Sequence, residues 1–144
     1  MPTVFRSMKT AADGLPVVGD QSKELGVRVP PNPCPDVDVD PSTNLILLNG
    51  SGMSVAENWR LLLPHLIPKR LSGIIADAKG RGNLKCYRLG DGPFAPGPLA
   101  SGLELVLKAS DAGKGNVVPD TAVTVSQFQV DLAATRNQWV VDET

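Results

Sequence analysis

Proline and glycine interrupt this chain so often that they limit what it can fold into. Its 144 residues include thirteen prolines and fourteen glycines. Five of the prolines lie between residues 28 and 44. Proline has no backbone N–H to offer to a helix interior or a central strand. We therefore expect short elements rather than a helical bundle, and an extended surface segment over residues 28–44.

The rest of the composition fits one folded domain over residues 1–144. Hydrophobic residues make up 42% of the chain, which is enough for a core at this length. The 14 basic and 15 acidic residues argue against a nucleic-acid binder that works through bulk charge. No signal peptide and no membrane span are visible. We expect a cytoplasmic protein that would leave its cell, if at all, without a cleaved leader.

The cysteines and acidic residues offer little for metal binding. Cys34 and Cys86 form no CxxC motif, and the chain has one histidine, so the four ligands of a zinc site are not found. We favour two free thiols, with a disulfide between them as the alternative. Cys86 is interpreted as filling the core. The carboxylates of Asp36, Asp38 and Asp40 would project from one side of an extended segment. A solvated edge is the favoured interpretation, and a divalent-cation site is the alternative.

Several segments have strand or helix patterns. Residues 3–8, 84–89 and 103–107 alternate as strands do, and the last should bury three leucines. Arg6 then lies mid-strand, either on a solvated face, which we favour, or against a partner or cleft. The apolar run 45–48 indicates a short buried strand, and residues 57–63 indicate a short helix that a proline stops.

The clearest element is a helix near the C-terminus. Thr124 and Gln127 have the spacing of a capping box. Phe128, Leu132 and Trp139 then fall on one helical face. Together with the strands, this pattern predicts a single α+β domain in which long loops separate short strands.

Residues 49–71 concentrate the polar chemistry of the chain. Ser54 follows a glycine-rich turn, and His65 lies between two leucine- or isoleucine-proline pairs. Ser54 and His65 could belong to a serine hydrolase, but Ser54 does not lie in the GxSxG elbow of such enzymes. Flexible glycine amides beside the Ser54 hydroxyl suit an amide or a ribose hydroxyl, because glycine lets a ligand approach the backbone closely. His65 is interpreted mainly as a structural residue of the following loop.

Short sequence pieces occur in an order that resembles a known family. In order, they are VFRSM, DGLP, KELGVR, DVDVD, GMSV, IPKRL, YRLGDGPF, LAATRNQW and VVDE. They resemble the ADP-ribosyltransferase-like NAD-dependent toxin family, which is typified by a cytotoxic effector of the bacterial type VI secretion system. The resemblance implies two small antiparallel sheets, NAD as substrate, and ADP-ribosyl transfer or NAD cleavage. It also implies a protective immunity or antitoxin protein, and a protein or nucleic-acid target.

The resemblance also implies which residues form the site. Arg6 on the first strand would hold NAD, and Ser54 on the second strand would support the nicotinamide ribose, with Met53 and Val55 beside it. The physical chemistry agrees, because the planar fork of an arginine suits a diphosphate. Ser54 is also one of the two residues implied to be catalytic.

The third expected position departs from the family pattern. Residues 114–120 contain no glutamate, and Lys114 stands where relatives often have a histidine. Asp120 is the nearest carboxylate and becomes the second catalytic candidate, with Glu104 as an outside candidate. This departure leaves open an alternative, a binding module without catalytic activity.

Overall fold

The computed structural model, which describes all 144 residues, contains one seven-stranded sheet and one α-helix. All neighbouring strands are antiparallel, in the spatial order β4-β5-β6-β2-β1-β3-β7. The elements are β1 (Val4–Lys9), β2 (Met53–Ala56), β3 (Leu84–Leu89), β4 (Gly97–Ala100), β5 (Leu103–Leu107), β6 (Lys114–Pro119), α1 (Val125–Ala133) and β7 (Val140–Val141).

The prediction of an α+β domain with two small sheets is wrong. The chain is mainly β, and its strands form a single sheet. Strand β2 joins the two halves because it pairs with β6 on one side and with β1 on the other. The junction with β1 is narrow, since only Phe5 and Ala56 are paired across it. Such long-range pairing cannot be derived from the alternation within each strand.

The two faces of the sheet are covered by different parts of the chain. On one face, Val4 and Met8 of β1 pack in a core with Phe128 and Leu132 of α1. The other face carries a smaller core that lies under the segment between β2 and β3. Its buried members are Phe5, Trp59, Ile67, Ala78 and Cys86.

Some local predictions are confirmed and others are wrong. Strands form over residues 4–9, 84–89 and 103–107, although Leu107 is 44% exposed rather than buried. No strand forms over residues 45–48, where a single isolated bridge joins Ile46 to Val39. The helix predicted over residues 57–63 is replaced by short 3-10 turns, Trp59–Leu61, Pro64–Leu66 and Lys69–Leu71. Leu62 and Leu63 are already extended ahead of Pro64, so the helix is limited to one 3-10 turn.

The C-terminal helix is confirmed with half of its capping box. The Thr124 side chain accepts a hydrogen bond from the Gln127 backbone N–H at 3.2 Å. The Gln127 side chain donates to Asp131 instead of returning to the cap. Trp139 lies beyond the helix but is buried, and its Nε1–H donates to Thr135 Oγ1 at 2.9 Å.

Candidate functional site

A cleft of about 340 Å³ opens beside the junction of β1 and β2. Two residues of β1, Arg6 and Ser7, line it together with Ser54 and Val55 of β2. These residues flank the one position at which the two strands pair. The volume lies within the range of about 300–1,000 Å³ that is usual for small-molecule sites. The remaining lining residues are Ser22, Arg28, Asp36, Leu62, Leu63, His65, Leu66, Lys108, Asp111 and Lys114.

Arg6 is buried and bonded to the protein's own backbone. It is only 7% exposed, so the interpretation as a solvated residue is wrong. Its Nη1 donates to the Ser54 carbonyl at 2.7 Å, and its Nη2 donates to the Ser22 carbonyl at 2.9 Å. Its Nε and Nη2 also donate to the Glu24 carbonyl, at 3.2 and 3.1 Å. Arg6 therefore ties β1 to β2 and to the loop that contains residues 22–24.

These bonds limit what Arg6 can offer a ligand. A guanidinium has five N–H donors, and four donor contacts already go to backbone carbonyls. A paired, fork-like grip on a phosphate needs two free parallel donors, so it is not open to Arg6. Burial lowers the pKa of Arg6 to about 10; the Asp36 carboxylate raises it and Arg28 lowers it further. The group remains a cation at neutral pH.

Ser54 presents its hydroxyl to the cleft from β2. Its side chain is exposed, whereas the neighbouring Met53 and Val55 are buried. Met53 and Val55 both belong to the main core. Val55 also lines the cleft, whereas Met53 does not. Of the four residues implied to bind NAD, the structure brings together Arg6, Ser54 and Val55 at the cleft, and it leaves Met53 outside.

Neither carboxylate candidate lies at the cleft. Strand β6 begins at Lys114, which lines the cleft, so Asp120 lies six residues away, roughly 20 Å along an extended strand. Glu104 pairs with Val118 and lines a separate hollow of about 90 Å³. The carboxylates that do line the cleft are those of Asp36 and Asp111.

The two carboxylates at the cleft are in different situations. Asp36 forms an ion pair with Arg28 at 2.9 Å, and the Arg28 backbone N–H also donates to it. Asp111 is exposed on the turn between β5 and β6 and takes part in no ion pair. Asp111 is thus the carboxylate of the cleft that remains available to a ligand.

The cleft is positively charged in a chain whose net charge is −1. Arg6, Arg28, Lys108 and Lys114 face two acidic side chains, which leaves a charge of +2 when His65 is neutral. Lys108 and Lys114 form no ion pair. They flank the β5–β6 turn, and the Lys108 N–H donates to the Lys114 carbonyl at 3.0 Å. This local charge favours an anionic ligand.

The opposite wall of the cleft is apolar and carries the histidine. Leu62, Leu63 and Leu66 line it, and Leu63 is 54% exposed. His65 belongs to the turn Pro64–Leu66 and also lines the cleft. The sequence interpretation gave His65 mainly a structural role, so it missed this position. Pro64 and Pro68 each begin a turn. These two prolines were the sequence signal that the segment turns and could bring His65 to the cleft.

Gly52 does not open the site to a ligand as the sequence suggested. A Cβ atom on Gly52 would lie 2.1 Å from the carbonyl oxygen of Val117 in β6. The missing side chain is thus needed for the close approach of two strands. Gly50 has a φ of +87° and forms a turn, and its carbonyl accepts a hydrogen bond from Asn116 at 2.8 Å.

Comparison with known proteins adds no relative. No protein-family model, curated protein or solved structure matches the chain. The structure has no helix with the length and apolar character that a membrane crossing needs. It also contains no group of three or more histidine, cysteine or acidic side chains placed to hold a metal ion. Both cysteines are free thiols, with Cys34 exposed and Cys86 buried.

Proposed function

We propose that the chain binds NAD in the cleft beside β1 and β2, and that it transfers the ADP-ribose to an acceptor or cleaves NAD. One observation carries this proposal. Arg6 and Ser54, the two residues that the family resemblance assigns to NAD, are 48 residues apart in sequence but line one cleft from neighbouring strands. The proposal does not depend on the two-sheet fold that the structure overturned.

The chemistry of the cleft walls suits a dinucleotide. Lys108 and Lys114, which form no ion pair, supply positive charge for a diphosphate. The apolar wall, which includes Leu62 and Leu63, gives a planar base a surface to pack on. The exposed Ser54 hydroxyl suits a ribose hydroxyl. Arg6 contributes its charge and holds β1 against β2, and the phosphate contacts that the sequence assigned to it fall to the other cations.

The reaction requires a carboxylate, and the proposal assigns this role to Asp111 in place of Asp120. In cleavage, the bond between the ribose C1′ and the nicotinamide nitrogen breaks, and nicotinamide leaves with the electron pair. Water bonds to C1′ and gives up a proton. A carboxylate beside the ribose stabilises the developing positive charge and accepts that proton. Asp111 lines the cleft without an ion-pair partner.

One observation favours a second candidate function, a binding module without catalytic activity. Asp120 and Glu104 both lie outside the cleft. Asp111 lies on an exposed turn, and no side-chain hydrogen bond fixes its carboxylate. A carboxylate that is not held in place contributes less to a transition state than an oriented one. Such a module would bind NAD or a related anion without consuming it.

The resemblance carries further proposals about the setting of the protein. In the catalytic version, the protein is a toxin-like effector that acts in the cytoplasm of a recipient cell on a protein or nucleic-acid target. A protective immunity or antitoxin protein would accompany it. Growth arrest of bacteria that express the chain, relieved by Ser54→Ala, would support toxicity. Harmless expression at high yield would favour the binding module.

Calorimetric titration with NAD tests binding. We expect wild-type protein to bind NAD. Ser54→Ala should bind it about two- to tenfold more weakly, because a neutral hydrogen bond is worth about 0.5–1.5 kcal/mol, and the double variant Lys108→Ala with Lys114→Ala should bind it at least about tenfold more weakly. Loss of one charge-assisted hydrogen bond is worth about 1.5–3 kcal/mol. Lys69→Ala is the matched control, because Lys69 is exposed and lies outside the cleft. Wild-type protein that ignores millimolar NAD would contradict the proposal.

A chromatographic assay of nicotinamide release from NAD distinguishes the two candidate functions. In the catalytic version, Asp111→Asn lowers kcat by about 10²–10⁴-fold and leaves NAD affinity nearly unchanged. Asp120→Asn is the control, because Asp120 lies outside the cleft and should keep full activity. Binding without nicotinamide release or ADP-ribose transfer would identify the binding module.

A further inference from the structure

Ser7 has a buried hydroxyl without a hydrogen-bond partner in the protein. Its side chain lies on β1, one residue after Arg6, and lines the cleft. The residue is only 2% exposed. Its Oγ is one of two buried side-chain polar atoms that lack a hydrogen-bond partner. The other, Asn116 Oδ1, belongs to a side chain that already donates to the Gly50 carbonyl and does not line the cleft.

An unpaired buried hydroxyl is unfavourable for folding. Leaving such a group unsatisfied lowers the stability of the folded state, and most buried polar atoms in folded proteins are paired. Alanine would fit beside Phe5 and Cys86, the neighbours of Ser7 on this face, without that cost. Because Ser7 lines the cleft, a molecule bound there is placed to supply the missing partner.

We infer that Ser7 determines specificity by hydrogen-bonding an uncharged polar group of the ligand, and this inference rests on the proposed binding of NAD. The group is either the carboxamide of the nicotinamide or a ribose hydroxyl, since both offer hydrogen-bonding atoms without a full charge. A charged group is disfavoured because a single hydroxyl cannot offset the cost of burying a charge.

Ser7 and Ser54 differ in what they contribute to recognition. Ser54 is exposed, so water can bond to its hydroxyl when a ligand lacks the matching group. The Ser7 hydroxyl is buried, so a ligand without that group leaves it unpaired. Sites of this second kind discriminate strongly between related ligands. No sequence pattern indicates this role, because the burial of Ser7 depends on β3 and on the segment over the smaller core.

The test measures stability and binding in the same variant. Ser7→Ala should have an unchanged or higher urea midpoint, and it should bind NAD at least about tenfold more weakly than wild type. Ser101→Ala is the matched control, because Ser101 is exposed on the turn between β4 and β5, outside the cleft. Titrations with ADP-ribose and with nicotinamide distinguish the two groups. Weaker ADP-ribose binding identifies a ribose hydroxyl, and weaker nicotinamide binding identifies the carboxamide.

The contrary outcomes are distinct. If wild type binds NAD and Ser7→Ala binds it equally well, this inference is wrong while the proposed function stands. If wild type does not bind NAD, both are wrong. A urea midpoint that falls in Ser7→Ala would mean that the hydroxyl has a partner within the folded protein, and it would also overturn the inference.

Discussion

Replacement of Arg6 by methionine should destabilise the protein, whether or not NAD is present. Methionine has a similar length and no donors, so the carbonyl oxygens of Ser22, Glu24 and Ser54 lose their bonds to the guanidinium. An unpaired buried polar group costs about 1–3 kcal/mol. Water entering from the cleft solvates part of this set, so we take the low end for each carbonyl and expect a loss of about 3 kcal/mol.

A loss of this size is easily measured. Domains of this kind are stable by roughly 5–15 kcal/mol, so Arg6→Met should shift the urea midpoint, followed by circular dichroism, by a large fraction of its value. The melting temperature should fall by roughly 10 °C. Arg6→Lys should not restore stability, because a single ammonium group cannot reproduce the planar fork that reaches three carbonyls. Arg81→Met is the control, since Arg81 is exposed and forms no side-chain hydrogen bond.

One result would refute this account of Arg6. If Arg6→Met keeps the wild-type urea midpoint but loses NAD binding, the guanidinium serves the ligand and not the scaffold. Full recovery of stability in Arg6→Lys would mean that charge alone matters. On the present account, Arg6 variants are poor tests of NAD binding, and Ser54 and the two lysines are better ones.

Three further predictions concern packing, thiol chemistry and pH. Gly52→Ala should destabilise the protein by roughly 2 kcal/mol or more, because its Cβ would clash with the neighbouring strand, while Gly82→Ala, with open space around it, should be nearly neutral in urea unfolding. Burial raises the pKa of Cys86 to about 12, Glu143 raises it further, and Arg70 opposes the rise. A thiol reagent at pH 8 should therefore modify only the exposed Cys34 until the protein is unfolded. The hydroxyl of Thr144 and, to a smaller extent, Arg88 lower the pKa of Asp142 below its usual 3.8. The stability that Asp142 contributes is therefore present above pH 3.8 and is lost as the pH falls through the lowered, folded-state pKa. Asp142→Asn should remove this part of the pH dependence of the urea midpoint between pH 5 and 2.5. The packing prediction is wrong if Gly52→Ala keeps the wild-type urea midpoint. The thiol prediction is wrong if Cys86 reacts as fast as Cys34 in the folded protein. The pH prediction is wrong if the urea midpoint of Asp142→Asn depends on pH as that of wild type does.

Local patterns in the sequence predicted the elements that depend on near neighbours. The alternation over residues 84–89 predicted β3 correctly. Its apolar residues pack in the core on each face of the sheet, Tyr87 and Leu89 on one face and Cys86 on the other. Thr124 predicted the start of α1, since a cap needs only the residues that follow it. In contrast, the 3-10 turns around His65 form because prolines divide a segment whose composition otherwise favours a helix.

The site depended on contacts that no local pattern encodes. The joining of β2 to β6 made one sheet out of the two expected. The same pairing placed Lys114 beside the cleft and Asp120 away from it. Arg6 was found by resemblance, but the three carbonyls that occupy it come from a loop and a strand distant in sequence. The orphaned hydroxyl of Ser7 is likewise a property of the folded chain.

An NMR titration of labelled protein with NAD, followed at the backbone amides, tests directly whether NAD binds in the cleft beside β1 and β2. Binding in the cleft should cause saturable shifts at Ser7, Ser54, His65 and Lys108, which line it from four separate parts of the chain. The amide of Glu104, which lines the separate hollow, should not shift. Shifts confined to that hollow, or no shifts at millimolar NAD, would contradict the claim that this cleft is a NAD site.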